Sequence, residues 1–349
     1  LVTNTEAVSE LNSWGMSLEP RMVSMPARIL PPETLVFGNN KIHQVDARSV
    51  DWGSFAKSTP VKSTPHLSNW LLLVPDRSAS QVANFAACIE EVGRGLAIRV
   101  ASPSVVHLRS DRPQDFIDAI RSHITNSTQC VVAVLPHKST ETYAQIKRVC
   151  CLEYGVQSQC LLPRSLQKHF QSVCANILLQ INAKLGGTTW ESKIPLSELM
   201  LVGIDVSHDT TPGGRASAGA FVATYNPECT KFFSRSFIQP KGQEISDSLK
   251  LCVREALVKY FEYNQSLPKR VVVYRDGVGV GMLQAVVDHE VPQFLESFAS
   301  IDPSYIPGLA VVVVNKRIHT RVFGYNQQSQ LVNPLPGTVV DSTITHRGW

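Results

Sequence analysis

An α/β fold is predicted by three features of this chain. Short apolar runs rich in valine, leucine and isoleucine recur along it, and segments with apolar residues at helical spacing separate many of them. Glycine and proline punctuate the joints. The 349 residues are 43% hydrophobic and 18% charged, which suits two or three folded domains with ample core.

The first 67 residues read as irregular. Strand-like pieces at 22–25 and 27–30 are interrupted by Pro31-Pro32, Gly38-Asn39-Asn40 and the repeated Ser58-Thr59-Pro60 and Ser63-Thr64-Pro65. Proline at this density favours extended chain over core. Residues 1–67 are therefore expected to be a linker packed on the next domain.

From 69 to 187, strand and helix alternate. Trp70-Leu-Leu-Leu-Val74 predicts a strand, and 80–92 a helix with Val82, Phe85, Ile89 and Val92 on one face. Strands at 97–100, 130–135 and 160–162 then alternate with three helices. These open at Pro113, span 142–152 and span 169–185, the last ended by Gly186-Gly187. The order is Rossmann-like and is assigned to a domain over 68–190. No GxGxxG follows its first strand, which argues against a dinucleotide.

Residues 191–349 are arranged differently. Strands at 200–206, 218–225 and 230–238 come first. A helix follows, striped by Ile245, Leu249, Cys252, Val253, Ala256, Leu257, Tyr260 and Phe261. A strand at 271–274, a helix over 282–298 and a strand at 309–314 complete the segment. Three strands, a helix and a strand is the order of the ribonuclease-H fold.

Within that order, Asp205 is the one carboxylate in the apolar run Leu199-Met-Leu-Val-Gly-Ile-Asp205-Val206, and Asp276 ends Arg270-Val-Val-Val-Tyr274-Arg275-Asp276. Ligands of open α/β sheets bind at the carboxyl ends of strands, and a buried carboxylate is costly unless paired or on a metal. The first strand of this fold lies beside the fourth, so Asp205 and Asp276 are expected to face each other. Two Mg²⁺ ions roughly 3.5–4 Å apart would then activate a water and stabilise the leaving oxygen of a phosphodiester. Glu244, in Lys241-Gly242-Gln243-Glu244, is on a loop able to swing in. Taken alone, it reads as an acid complementing a helix N-terminus. Asp205 alone reads equally well as a strand-end turn former, and His208 as a polar turn residue rather than a ligand. Gly277-Val-Gly279-Val-Gly281 has the wrong spacing for a phosphate loop and reads as a tight strand-to-helix turn.

Two further groups invite an anion. Tyr143 and Lys147 share one helix face, Gln180 and Lys184 share another, and Gln159 begins the strand between. Converging, they would hold a terminal phosphate of about −1.5 to −2 charge; the plain alternative is two solvated helix faces. Lys316, Arg317, His319 and Arg321 leave a buried strand, as phosphate-backbone contacts do, or as a solvated hairpin would.

Net charge is +4, with no run of five like charges, which permits nucleic acid without demanding it. The eight cysteines include no CxxC or zinc spacing, so core thiols in a reducing compartment are expected. No apolar stretch is long enough to span a membrane, and no signal peptide is visible.

Taken together, several motifs resemble the Argonaute family, its PIWI clade in particular. They are Gly203-Ile-Asp205-Val-Ser-His208-Asp, Tyr274-Arg-Asp-Gly-Val-Gly, Lys316-Arg-Ile-His-Thr-Arg321 and Asn333-Pro-Leu-Pro-Gly-Thr338. Tyr143-Ala-Gln-Ile-Lys147, Ser158-Gln159-Cys160 and Gln180-Ile-Asn-Ala-Lys184-Leu-Gly-Gly join them. The resemblance covers essentially the whole chain. It implies a linker over 1–67, a MID domain over 68–190 and a ribonuclease-H-like PIWI domain over 191–349, incomplete at its C-terminus.

The resemblance also implies function. A small guide RNA, the piRNA, usually beginning with uridine, is held by its 5′ phosphate at Tyr143, Lys147, Gln159, Gln180 and Lys184. A Mg²⁺ ion assists at Gln180, where Argonautes proper carry a lysine. Pro136-His-Lys-Ser-Thr140 matches the loop that reads the first base. Asp205, Glu244 and Asp276 match three catalytic residues, with Mg²⁺ or Mn²⁺ on the two aspartates. The fourth, a histidine, is expected beyond Trp349, since His346 does not match it, and the domain for the guide's 3′ end before Leu1. Lys316, Arg317, His319 and Arg321 match a segment on the guide backbone. The implied protein is a germline slicer that silences transposon transcripts with protein partners and without a membrane, in cytoplasmic perinuclear granules or the nucleus. A guide-binding scaffold that silences by recruitment is the alternative. A ribonuclease-H-like integrase shares the acids but leaves the Tyr143, Lys147 and Lys184 group unexplained.

Overall fold

The computed structural model describes residues 3–208, 216–316 and 318–345, which fall into two compact units. The smaller comprises 3–32, 46–50 and 320–345. The Asn4 side chain caps a helix over Thr5–Ser13, accepting from the Ala7 N–H at 2.8 Å. Two short antiparallel ribbons accompany it, Arg28–Ile29 with Thr338–Val339 and Gly324–Tyr325 with Leu331–Val332. The expectation of an irregular stretch over 1–67 therefore needs correction: 34–36 and 42–44 are strands, 53–58 is a short helix, and 5–13 is a helix as well. That helix buries no side chain, so no apolar stripe announced it.

The larger unit contains 33–45 and 51–319. Besides a small antiparallel sheet of Thr34–Val36, Ile42–Gln44 and Glu191–Ser192, it has a sheet of four parallel strands: β1 (Trp70–Pro75), β2 (Ser104–Leu108), β3 (Cys130–Val134) and β4 (Gln157–Leu161), in the order β2-β1-β3-β4. Every residue of β1 and β3 is buried, as expected of parallel strands covered on both faces. The covering helices are α1 (Phe85–Gly95), α2 (Pro113–His123), α3 (Thr140–Arg148) and α4 (Phe170–Lys184). Trp70, Leu72 and Val74 meet Phe85, Ile89, Leu178 and Ile181 in one core. Leu71 and Leu73 meet Phe116, Ile120 and Ile146 in the other.

Two expectations fail here. Residues 97–100 form no strand. Ala97 takes φ +58°, and the Ile98 N–H donates to Gly93 O at 2.8 Å, so the apolar run closes the end of α1 instead. The strand comes later, at Ser104–Leu108. The expected helix over 80–92 is also divided, into Ala79–Val82 and α1, at the non-helical Asn84. At 97–98 local backbone closure overrides apolar periodicity, and at Asn84 a non-helical backbone divides the apolar stripe. The strand expected at 160–162 runs over 157–161, which brings Ser158 and Gln159 into the sheet.

The second large sheet has five strands: β5 (Leu199–His208), β6 (Ala216–Thr224), β7 (Phe232–Pro240), β8 (Arg270–Asp276) and β9 (Gly308–Val314). Their order is β7-β6-β5-β8-β9. The first three pair antiparallel, while β8 runs parallel to both β5 and β9. This is the ribonuclease-H arrangement anticipated from element order. Helix α5 (Leu249–Asn264) packs on the sheet through Cys252, Val253, Ala256 and Leu257. It starts four residues later than the apolar stripe indicated, leaving 244–248 as a loop. The single helix expected over 282–298 is also interrupted. A wide π-type turn at Val286–Glu290 precedes α6 (Val291–Ile301), with proline in the first turn of α6. Proline has no N–H to continue an α-helical ladder, which fits a break at this position.

Candidate functional site

The parallel pairing of β5 and β8 sets the first site. Its last registered pair is Arg275 with Ile204; one residue beyond on each strand stand Asp276 and Asp205. With Tyr274 and Lys316 these acids line an open cleft of about 340 Å³ at the carboxyl ends of the strands. Next comes Gly277, at φ +84°, the tight turn anticipated. A methyl group there would stand 3.2 Å from Glu244 Oε1 and 3.7 Å from Asp205 Oδ1, so both carboxylates converge on this glycine.

Glu244 is already swung in. Its Oε2 lies 2.6 Å from His208 Nε2, and His208 Nδ1 lies 2.8 Å from Ser217 Oγ. Its Oε1 is buried, with no hydrogen-bond partner among the described residues; the nearest cation is Arg275 Nη1, at 3.6 Å. Glu244 is thus not a helix-N-terminal acid, since α5 begins only at Leu249. Nor is His208 a turn residue: it ends β5 and faces Glu244. Asp276 pairs with the Lys316 ammonium and accepts from the Gly277 N–H at 2.9 Å. The hydrogen bond from Lys316 holds the Asp276 carboxyl below the usual carboxylate range.

A second site lies on the four-stranded sheet. Lys147 Nζ, from α3, donates to Ser158 O and Ser158 Oγ, both at 2.8 Å. Lys184 Nζ, from α4, donates to Ser158 O at 2.9 Å and to Gln159 Oε1 at 2.6 Å. Neither ammonium meets a carboxylate among the described residues. Burial, and next the Lys147 charge, push the Lys184 pKa below the ordinary lysine value. An ammonium has three donors. Two are spent here on each lysine, which leaves one apiece for a ligand. The Tyr143 ring lies 5.6 Å from Lys147 Nζ. Gln180 is exposed one turn before Lys184, and its side chain makes no hydrogen bond to a described residue. In the loop before α3, the Ser139 side chain caps that helix, accepting from the Thr142 N–H, and His137 Nδ1 lies 3.0 Å from Arg77 Nη2.

A family model described as Piwi domain matches residues 130–349. This chain belongs to the Piwi family of Argonaute proteins. It is 38% identical over 348 residues to Piwi-like protein 1 of Danio rerio, covering 99% of this chain and 40% of that protein. It is 40% identical over 351 residues to Piwi-like protein Ago3 of Bombyx mori, covering 100% of this chain and 38% of that protein. The crystal structure of Drosophila Piwi superposes with a TM-score of 0.85 at 25% identity, covering 98% of this chain and 47% of that one. The chain thus spans about two fifths of the length of these curated relatives.

The Piwi domain's acids can be weighed as cation ligands. Among the described residues, no three acidic, histidine or cysteine side chains close a coordination shell by themselves. Mg²⁺ does not need that: it typically takes one or two carboxylates, with water and substrate phosphate supplying the rest. The all-oxygen donors Asp205 and Asp276, with Glu244 Oε1 beside them lacking a hydrogen bond among the described residues, fit such an ion.

Of the basic segment, Lys316 reaches the cleft, and His319 is exposed in the same unit. Arg321 belongs to the smaller unit, while Arg317 and His346 lie outside the described residues. Sequence reasoning placed Arg275 beside Asp276 at the strand end without giving it a role, and it missed Glu290 and Gln293. Arg275 is fully buried and donates to Glu290, to Asp276 O and to Glu244 O. A charge inside the valine-rich run of β8 was the signal that could have assigned that role. All eight cysteines are free thiols, five of them buried. Among the described residues, no helix is long and apolar enough to cross a membrane.

Proposed function

We propose that the protein carrying this chain is a small-RNA-guided silencing nuclease. A piRNA is held by its 5′ phosphate on the four-stranded sheet, within 68–190. A complementary transcript, such as that of a transposon, is cut on the five-stranded sheet, within 191–349. The observation that carries the reading is the meeting of Asp205, Glu244 and Asp276 at the ends of two parallel strands. Membership of the Piwi family supports it. The lysine pair supports the guide half, because two ammonium groups without a carboxylate partner among the described residues suit a dianionic terminal phosphate.

The residues divide the work. Lys147 and Lys184 each offer one remaining N–H to the phosphate, Tyr143 stands beside Lys147, and Gln180 is placed to add an amide or a Mg²⁺ ligand. Mg²⁺ or Mn²⁺ on Asp205 and Asp276, when bound, supplies Lewis acidity and a more acidic water. Glu244 presents Oε1 toward the same point, oriented through its other oxygen by His208. Lys316, Arg317, His319 and Arg321 are assigned to guide phosphates. Base pairing supplies sequence specificity while the protein reads backbone and shape. Cytoplasmic perinuclear granules are the proposed location, with silencing proteins as partners.

The test is cleavage of a complementary RNA by guide-loaded whole protein. Asp276→Ala should slow cleavage by on the order of 10²–10³-fold while guide affinity stays within about twofold. Undiminished cleavage would sink the assignment. Loss of cleavage with silencing intact in cells would favour the recruiting scaffold.

A further inference from the structure

Arg275 stands between two acids, and the structure divides it unequally. Its Nε donates to Glu290 Oε2 at 2.9 Å, and Nε and Nη2 each reach Glu290 Oε1 at 3.2 Å. Nη2 also donates to Glu244 O at 2.6 Å, and Nη1 donates to Asp276 O. The Glu244 carboxylate receives none of these bonds, although its Oε1 lies only 3.6 Å from Nη1. Glu290 thus takes the guanidinium, leaving Glu244 Oε1 without a hydrogen-bond donor among the described residues.

Glu290 also fixes the loop that carries Glu244. Its Oε1 accepts from the Ser246 N–H at 2.9 Å. One turn further on, Gln293 Nε2 donates to Ser246 O at 2.6 Å, and Gln293 Oε1 accepts from the Leu249 and Lys250 N–H groups at 3.0 and 3.2 Å. Helix α5 has no side-chain cap of its own, so Gln293 performs that task from α6. Glu290 itself ends the π-type turn, a distortion often found at functional sites. Both ions are buried, at 0% and 2% exposure. Desolvation makes such a pair weak as a source of stability, whereas leaving one ion alone is strongly destabilising.

We infer that Glu290 is a positioning residue for cation binding: it holds the hydrogen bonds of Arg275 off the Glu244 carboxylate, so that Glu244 Oε1 is left for a divalent ion to take. The inference rests on the nuclease reading given above. Without the Glu290 charge, Arg275 turns its free attraction onto Glu244 and occupies the oxygen that the ion needs.

The experiment measures Mn²⁺ affinity of the whole protein, without RNA, by electron paramagnetic resonance. Wild type is compared with Asp205→Asn, Glu290→Gln and Arg275→Met/Glu290→Leu. Glu290→Gln should weaken Mn²⁺ binding about tenfold, as outer-shell changes do. The double variant removes both ions together, a change the fold tolerates better than removal of one. It should bind Mn²⁺ more tightly than both Glu290→Gln and Asp205→Asn, because the competing cation is gone, even though the bonds to Glu244 O, Asp276 O and the Ser246 N–H are lost with it. A purely structural Glu290 would not be rescued in this way. If Glu290→Gln fails to fold, the double variant decides alone. Wild-type affinity in Glu290→Gln, or a double variant weakened as far as Asp205→Asn, overturns the role of Glu290 and leaves the nuclease reading standing. No Mn²⁺ site dependent on Asp205 in wild type overturns both.

Discussion

On the four-stranded sheet, two ammonium groups share a pocket with carbonyl, hydroxyl and amide oxygens around them. On the five-stranded sheet, Glu244 faces His208 and Asp276 faces Lys316. The first arrangement keeps its charge uncompensated, with hydrogen bonds fixing the lysines before any ligand arrives. In the second, Lys316 pairs with Asp276 and His208 engages one Glu244 oxygen, so a divalent ion must compete with side chains already in place. The contrast teaches that a pre-set lysine pair and a cleft with internal pairs respond differently to the same kind of substitution.

The largest effect should come from removing the uncompensated charge. Lys147→Ala with Lys184→Ala is expected to reduce the preference for a 5′-phosphorylated over a 5′-hydroxyl RNA by about 10²-fold or more, each charged hydrogen bond contributing roughly 1.5–3 kcal/mol. A titration of both RNAs at fixed salt checks it, since phosphate contacts are salt-dependent. An unchanged preference would erase the contrast.

A smaller effect is expected in the cleft from Gly277→Ala. The positive φ and the 3.2 Å approach to Glu244 Oε1 both resist a side chain. A loss of about 1–2 kcal/mol in denaturant unfolding is expected, with weaker Mn²⁺ binding. Full stability with unaltered ion affinity would show that the carboxylates do not depend on this turn.

Alkaline pH sharpens the comparison next. Lys184 has its folded pKa lowered below 10.5. Phosphate affinity should therefore decline with rising pH earlier than an ordinary lysine allows. For stability the sign is opposite. Through the interval between the folded and unfolded pKa values the unfolded chain holds more protons, so stability rises with pH. Lys184→Met should flatten that rise in denaturation curves measured across the interval. A rise of the same slope in the variant would assign it to another group.

The smallest effect is expected at the pocket rim. Tyr143→Leu removes a ring 5.6 Å from Lys147 Nζ and should weaken phosphate binding about two- to fivefold, the scale of an exposed cation–π contact. A tenfold or greater loss would mean that Tyr143 contributes more than the face of its ring.

Much of this was legible in the residues. The two buried valine-rich strands and their terminal acids could be read because apolar runs and lone charges are local signals. Helix periodicity put Tyr143 with Lys147 and Gln180 with Lys184 on shared faces, whereas their meeting with Gln159 was implied by the family resemblance and not by periodicity. What stayed hidden depends on distant backbone. The turn at Ala97 and Ile98 satisfies carbonyl groups of α1, and apolar composition carries no record of that. The start of α5 is fixed by Gln293, 44 residues downstream of Leu249. His208 looked like a turn former because its partner Glu244 is 36 residues away.

The parallel ladder between β5 and β8 has one more consequence. The distance separating Asp205 from Asp276 is a property of the main chain, because neighbouring strands lie about 4.7–4.9 Å apart whatever side chains they carry. The hydrogen-bonded backbone therefore acts as a ruler for the two carboxylates, and its graduation is one residue. A single-residue insertion between Leu199 and Asp205 would move the carboxylate by about 3.3 Å and turn it to the opposite face of the sheet. The chemistry of this cleft thus has broad tolerance for repacking beneath it and almost none for a slip in count.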